Sequence, residues 1–131
     1  MINSEKIIQQ YYDALAARDR EKLLSLLDPE IEVIYYGQPD QLPWAGTFSG
    51  IEGFDSFFKV IAQYLEIVEV QRLNTIASES QVVVQCKGIW QFKENGAQVH
   101  GAMVNVFTLN DQKLRLYEVY ADTEAFHSAM P

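Results

Sequence analysis

Cysteine is nearly absent. Cys86 is the only one in 131 residues, so no disulfide can form within the chain and a fold stapled by bridges is excluded. Basic residues are also scarce: ten Lys and Arg, scattered singly, stand against 18 Asp and Glu, for a formal net charge of -8. A phosphate backbone is held mainly by Lys and Arg, so no nucleic acid is expected as a partner. No apolar run approaches the ~20 residues of a membrane-crossing helix, so no membrane is expected either. Met1 to Lys6 has neither the basic start nor the apolar run of a secretion signal, and with the lone cysteine this leads to an expected cytoplasmic location. A Gly-rich phosphate loop and a Gly-x-Ser-x-Gly elbow are both missing. His100 and His127 stand alone rather than at metal-ligand spacing, so neither a metal nor another cofactor is expected.

What remains is an ordinary globular composition, 48% apolar and 21% charged, of a length that suits one domain over residues 1–131. After Ser4, a candidate N-cap, Ile7, Ile8, Tyr11, Tyr12 and Leu15 recur at helical spacing and predict an amphipathic helix ending near Arg18. Asp19 can cap a short second helix carrying Leu23, Leu24, Leu26 and Leu27, which must stop at Asp28 because Pro29 disfavours helical geometry in the residue before it. Ile31 to Tyr36 is β-branched and aromatic and reads as a strand; Gly37 to Gly50, with two prolines and three glycines, reads as a loop. Ile51, Phe54, Phe57, Phe58, Ile61 and Leu65 form the stripe of a third helix. Strands follow at Val68 to Ala77, Gln81 to Lys93, Gln98 to Leu109 and Lys113 to Ala121, with turns at Asn95-Gly96 and Asp111-Gln112. Helices first and an antiparallel meander second define an α+β fold, two or three helices over a curved antiparallel sheet.

The turns suggest a register. Taking Asn95 and Gly96 as central residues sets Phe92 opposite Val99, Trp90 opposite Gly101 and Cys86 opposite Asn105. The same step at Asp111-Gln112 sets Phe107 opposite Leu116, Asn105 opposite Glu118, Met103 opposite Tyr120 and Gly101 opposite Asp122. Paired side chains share a face, so Asn105 and Glu118 are expected inside an apolar row beneath the helices. A slip of one residue would turn them outward. Two accounts of such a pair are open: polar groups that bond each other or a helix side chain and only fix the register, or a carboxyl shielded from water that acts as general acid or base with Asn105 orienting the substrate. Asp122 is either the cap of a final helical turn or a second acid/base group. Tyr12 could offer its hydroxyl to a bound oxygen or be core with a satisfied tip. Tyr35, Trp44, Phe48, Phe58, Cys86, Trp90, Met103 and Tyr120 are the expected walls of a small, mostly apolar pocket, unless the large aromatics simply fill the cone.

The run LPWAGTFSGIEGFDSFF from Leu42 to Phe58, the LYEVYADT from Leu116 to Thr123 and the order of elements resemble the SnoaL-like, ketosteroid-isomerase-related branch of the nuclear transport factor 2-like superfamily. The resemblance implies a conical α+β fold with a pocket between helices and sheet. It also implies a homodimer through the outer sheet face, for which Val104, Val106, Tyr117 and Val119 are the candidate residues. Known activities of the superfamily are acid/base reactions on small apolar molecules, namely isomerisation, polyketide ring closure, dehydration and epoxide hydrolysis; other members only bind. The acid/base aspartate of SnoaL-type cyclases is matched by Asp122 and the isomerase's tyrosine by Tyr12. A histidine common in the preceding strand is matched by Asn105, and the isomerase's catalytic aspartates find no match. The expected function is therefore binding of a small, largely apolar molecule, with acid/base catalysis by Asp122, Glu118, Asn105 and Tyr12 or with no chemistry at all.

Overall fold

The computed structural model describes all residues, 1–131. Helix α1 (Asn3–Ala17) buries Ile7, Ile8, Tyr11 and Ala14 along one face. Ser4 does not cap it, because the helix begins earlier, after Ile2; the buried Ser4 hydroxyl instead donates to the carbonyl of Ser78 at 2.5 Å and ties α1 to a distant turn. Asp19 caps α2 (Arg20–Leu26) as expected, accepting from the Lys22 amide at 3.1 Å. The helix stops before Asp28, since Leu27 already pairs with a strand and opens β1 (Leu27–Tyr35). Pro29 is tolerated within β1 because the ladder to its neighbour is interrupted between Leu27 and Glu32, where no amide is needed. The expected loop contains a short strand, β2 (Gly46–Ser49), and α3 (Gly50–Tyr64) follows. Burying Phe54 and Phe57 of α3 contributes roughly 1.5–3 kcal/mol each.

Five more elements complete the sheet and cover its end: β3 (Leu65–Ala77), β4 (Gln81–Phe92), β5 (Gln98–Asn110) and β6 (Lys113–Ala121), then a terminal helix α4 (Thr123–Ala129). The six strands are ordered β2-β1-β6-β5-β4-β3 in an open sheet. It is mixed rather than wholly antiparallel: β1 runs parallel to β6, because the chain returns from the meander to lie beside its first strand. None of the helices is long and apolar enough to cross a membrane.

Register decides which side chains meet the helices. Between β4 and β5 the turn is a four-residue loop rather than two: Gln91 pairs with Gln98, and the Gly96 amide donates to the Phe92 carbonyl at 2.9 Å, with Gly96 left-handed at φ 73°. The ladder is thus displaced by two residues from the expected one. An even shift preserves the face, so Val84, Cys86, Gly88, Trp90 and Phe92 point inward as expected, and Asn105 sits opposite Val84. Between β5 and β6 the turn is as expected, Asn110 pairing with Lys113 across left-handed Asp111 and Gln112. A bulge then intervenes. Leu109 pairs with Leu114, but Thr108 pairs with Leu116, so Arg115 is an extra residue in β6. An odd shift reverses the face: Tyr117 and Val119 are buried inside, whereas Glu118 and Tyr120 lie outside, beside Val106 and Val104.

Candidate functional site

Beneath the helices the inner sheet face leaves a cavity of ≈110 Å³. Tyr35 of β1 and Trp44 of the loop before β2 form one wall, Phe57, Phe58 and Ile61 of α3 a second, and Trp90, Met103, Tyr117, Val119 and Ala121 of the central strands the floor. Phe126 of α4 closes the end, its ring 5.7 Å from that of Trp44 and 5.3 Å from that of Trp90. The mouth lies between α3 and the first half of β3, at Leu65, Ile67 and Val70. Ile67 and Val70 are 64% and 38% exposed, so the apolar lining continues onto the surface. A larger concavity of ≈680 Å³ runs over the outer face along Glu69, Gln71, Lys87 and His100; it is open and charged at its edges, and does not share the enclosed interior.

All fourteen lining residues are hydrophobic, and the polar groups they carry are few: the hydroxyls of Tyr35 and Tyr117 and the indole N–H groups of Trp44 and Trp90. Burial pushes the Tyr35 phenol up to about 12, with the Trp44 indole as a partial offset, and pushes the Tyr117 phenol further still. Both remain protonated donors at neutral pH. The Trp44 N–H is buried without an acceptor, so its influence on Tyr35 is exerted without an aligned hydrogen bond. A buried donor left unpartnered costs about 1–3 kcal/mol.

Asn105 and Tyr12 meet, but beside the cavity rather than in its wall. Asn105 is 3% exposed, and its amide nitrogen donates to the Tyr12 hydroxyl at 3.0 Å while its Oδ1 has no partner. The Tyr12 phenol is raised to about 12, chiefly by burial and partly offset by this hydrogen bond. Arg72 of β3 lies 4.2 Å over its ring. Tyr11, next along α1, is buried with its own hydroxyl unpartnered, its ring packed edge-on against Phe107 and Tyr117.

The two carboxylates are not in this interior. Glu118 lies on the outer face because of the bulge, where it accepts from the Tyr36 hydroxyl at 2.5 Å and, more distantly, from Tyr120 at 3.5 Å. That hydrogen bond holds the Tyr36 phenol well above its usual range. Asp122 is exposed and caps α4, accepting from the Ala125 amide at 3.1 Å. Among the expected wall residues, Tyr35, Trp44, Phe58, Trp90 and Met103 line the cavity. Tyr120 does not: it is exposed outside and stacked on Tyr36 at 4.5 Å. Phe48 packs on Phe57 at 5.4 Å without lining the cavity, and Cys86 is buried on the inner face, its thiol raised by burial, likewise outside the lining. For the outer face, Val104 and Val106 are placed as expected, but Tyr117 and Val119 belong to the core, and Leu116 and Tyr120 take their places. Tyr117 was the residue most clearly missed; no turn signal announces the bulge that brings it inside.

The sequence matches the pattern of the SnoaL-like domain family over residues 8–117, and the chain belongs to that family. A comparison with curated proteins finds no match. Among solved structures, the chain is similar to an NTF2-like protein from Burkholderia xenovorans LB400, with a TM-score of 0.88, 22% identity and coverage of 98% of this chain and 96% of that one. It is similar to TerC co-crystallised with polyporic acid, with a TM-score of 0.83, 23% identity and 97% of each chain covered. A computationally designed 17-OHP binder shares the fold at a TM-score of 0.72 and 16% identity, over 95% of this chain and 97% of that one.

Proposed function

We propose that this protein binds a small, largely apolar molecule in the enclosed cavity and holds an acceptor oxygen of that molecule, such as a ketone or quinone carbonyl, with the hydroxyls of Tyr35 and Tyr117. The observation that carries this reading is that the few polar side-chain groups on the wall are phenols and indoles, all able to donate, and burial keeps both phenols protonated. A few placed donors in an apolar hollow orient a ligand and discriminate by its acceptor. The volume supports a modest ring inside: an apolar cavity of about 150 Å³ accommodates benzene, so a hollow of ≈110 Å³ takes no more than a small ring, with any remainder lying over Ile67 and Val70 at the mouth. TerC, co-crystallised with polyporic acid, and the designed 17-OHP binder are similar in fold, which supports a small-molecule ligand for this chain.

Binding is favoured here over acid/base catalysis, because no carboxylate or imidazole lines the cavity. Two phenols can polarise a carbonyl, but a proton shuttle at neutral pH also needs a base within reach. The test uses cyclohexanone and methylenecyclohexane, which have nearly the same shape and differ in the acceptor. Ligand-detected NMR titration should show the ketone binding roughly tenfold more tightly, as one or two hydrogen bonds of about 1 kcal/mol would give, and Tyr35→Phe with Tyr117→Phe should erase the difference. Equal affinity of the two compounds for the unaltered protein removes the reading.

The outer sheet face supports a second copy of the chain as partner. Ile34, Val104, Val106 and Leu116 are only half-buried there, and Tyr36 and Tyr120 are exposed beside them. Light scattering should report a dimer that Val104→Glu converts to a monomer; a monomeric wild-type chain at high concentration removes the dimer.

A further inference from the structure

Gly88 lies on the inner face of β4, two residues before Trp90 and opposite Val70 of β3. Its backbone needs no special freedom, having no positive φ, so conformational demand does not account for glycine here. Space does. A Cβ at this position would stand 2.7 Å from Cη2 and 3.0 Å from Cζ2 of Trp90, and 2.9 Å from the carbonyl oxygen of Glu69. The indole therefore folds back along its own strand, and its Cζ2–Cη2 edge occupies the space beside the bare backbone of Gly88. Trp90 is also a cavity wall, and the two β3 residues paired across from Trp90 and Gly88, Ile67 and Val70, form the mouth.

We propose that Gly88 and Trp90 act as a unit that sets the size of ligand the cavity accepts, Gly88 by leaving the berth into which the Trp90 ring retracts. Of the two groups that oppose a side chain at 88, the Trp90 indole borders the cavity, and the carbonyl of Glu69, a residue that lines the outer concavity, lies between Ile67 and Val70 of the mouth. One is the indole, a wall whose free direction is into the hollow, since Phe126 packs on it at 5.3 Å from another side. The other is the backbone of β3, a sheet edge already interrupted by a bulge between Ile67 and Glu69. Any methyl group at 88 must narrow the hollow, by displacing the ring, or shift the mouth. Conversely, shortening residue 90 enlarges the hollow at its floor. The proposal rests on the reading of the cavity as a ligand site, but its geometric core can be measured separately.

Crystals under xenon pressure report the hollow without any assumption about ligand chemistry. Gly88→Ala should lose at least half of the xenon occupancy seen in the wild type, and Gly88→Ala with Trp90→Leu should regain it. Trp90→Leu alone should bind cyclooctanone about tenfold more tightly than the wild type does. If Gly88→Ala does not fold, the double variant should, and Trp90→Leu gives the second measurement in any case. Unchanged xenon occupancy in Gly88→Ala, or a Trp90→Leu variant that discriminates ring sizes as the wild type does while still binding cyclohexanone, overturns the proposal. Xenon behaving as expected while neither ketone binds the wild type would instead leave the Gly88–Trp90 geometry in place and reject the ligand reading.

Discussion

Asn105 is a buried amide whose needs are only half met. Its nitrogen is spoken for by Tyr12 and its oxygen is not. Removing the partner should therefore cost more than removing both. Tyr12→Phe is expected to destabilise the fold by about 1–3 kcal/mol, the usual cost of stranding a buried polar group, whereas Tyr12→Phe combined with Asn105→Leu should recover most of that loss. Urea unfolding of the three variants measures it; a double variant less stable than the single one would mean that Asn105 has another role in the interior. Asp122 is argued in the same way. As a cap it should tolerate Asn almost without loss, while Ala costs about 1 kcal/mol. An Asp122→Asn protein that is fully stable yet has lost a measurable turnover would return the acid/base role to this residue.

At the level of elements, the two hairpins show what turn chemistry does and does not reveal. Asp111-Gln112 is a two-residue turn in which both residues are left-handed, and the pairing next to it is the one the turn implies. Asn95-Gly96 suggested the same kind of turn but closes a longer loop. The error was harmless for facing because it was even. The bulge at Arg115 had the opposite effect: one extra residue in β6 reverses every side chain from Leu116 onward relative to an unbroken ladder. Its placement depends on β6 satisfying two neighbours at once, β5 on one side and the parallel β1 on the other, and no local run of residues encodes that. Deleting Arg115 should close the bulge and leave Leu114, Leu116, Tyr117 and Val119 on the faces they now occupy, since Leu109 already pairs with Leu114 and Thr108 with Leu116. We expect a cooperative transition with a loss of about 0.5–3 kcal/mol, as checked by thermal unfolding. A deletion variant with no cooperative transition would show that the bulge itself is needed to seat β6 between β5 and β1.

The whole molecule is sensitive to base through its interior phenols. Tyr12 and Tyr35 are raised from 10.0 to about 12 in the folded chain, and Tyr11 and Tyr117 are raised as well, each mainly by burial. The folded state keeps these protons where the unfolded chain gives them up. Their stabilisation is therefore complete below pH 10 and declines as the pH rises from 10 toward 12. Each such group contributes a slope of about 1.4 kcal/mol per pH unit in that window. Unfolding free energy measured between pH 9 and 12 should drop steeply, and Tyr35→Phe should flatten the curve by about one group's worth; an unaltered slope would mean that the phenol is solvated.

The α+β order, three of the four helices, the inward face of β4, the inward Asn105 and five of the eight expected wall residues were legible in the residues themselves. Each follows from periodicity, which local sterics and the pull of apolar side chains from water impose on any chain of this pattern. The parallel seating of β6 against β1, the bulge that this seating accompanies and the exchange of Glu118 for Tyr117 in the interior belong to the tertiary structure alone. They depend on contacts between segments more than 80 residues apart, where the better-packed register wins whatever the nearer turn suggests.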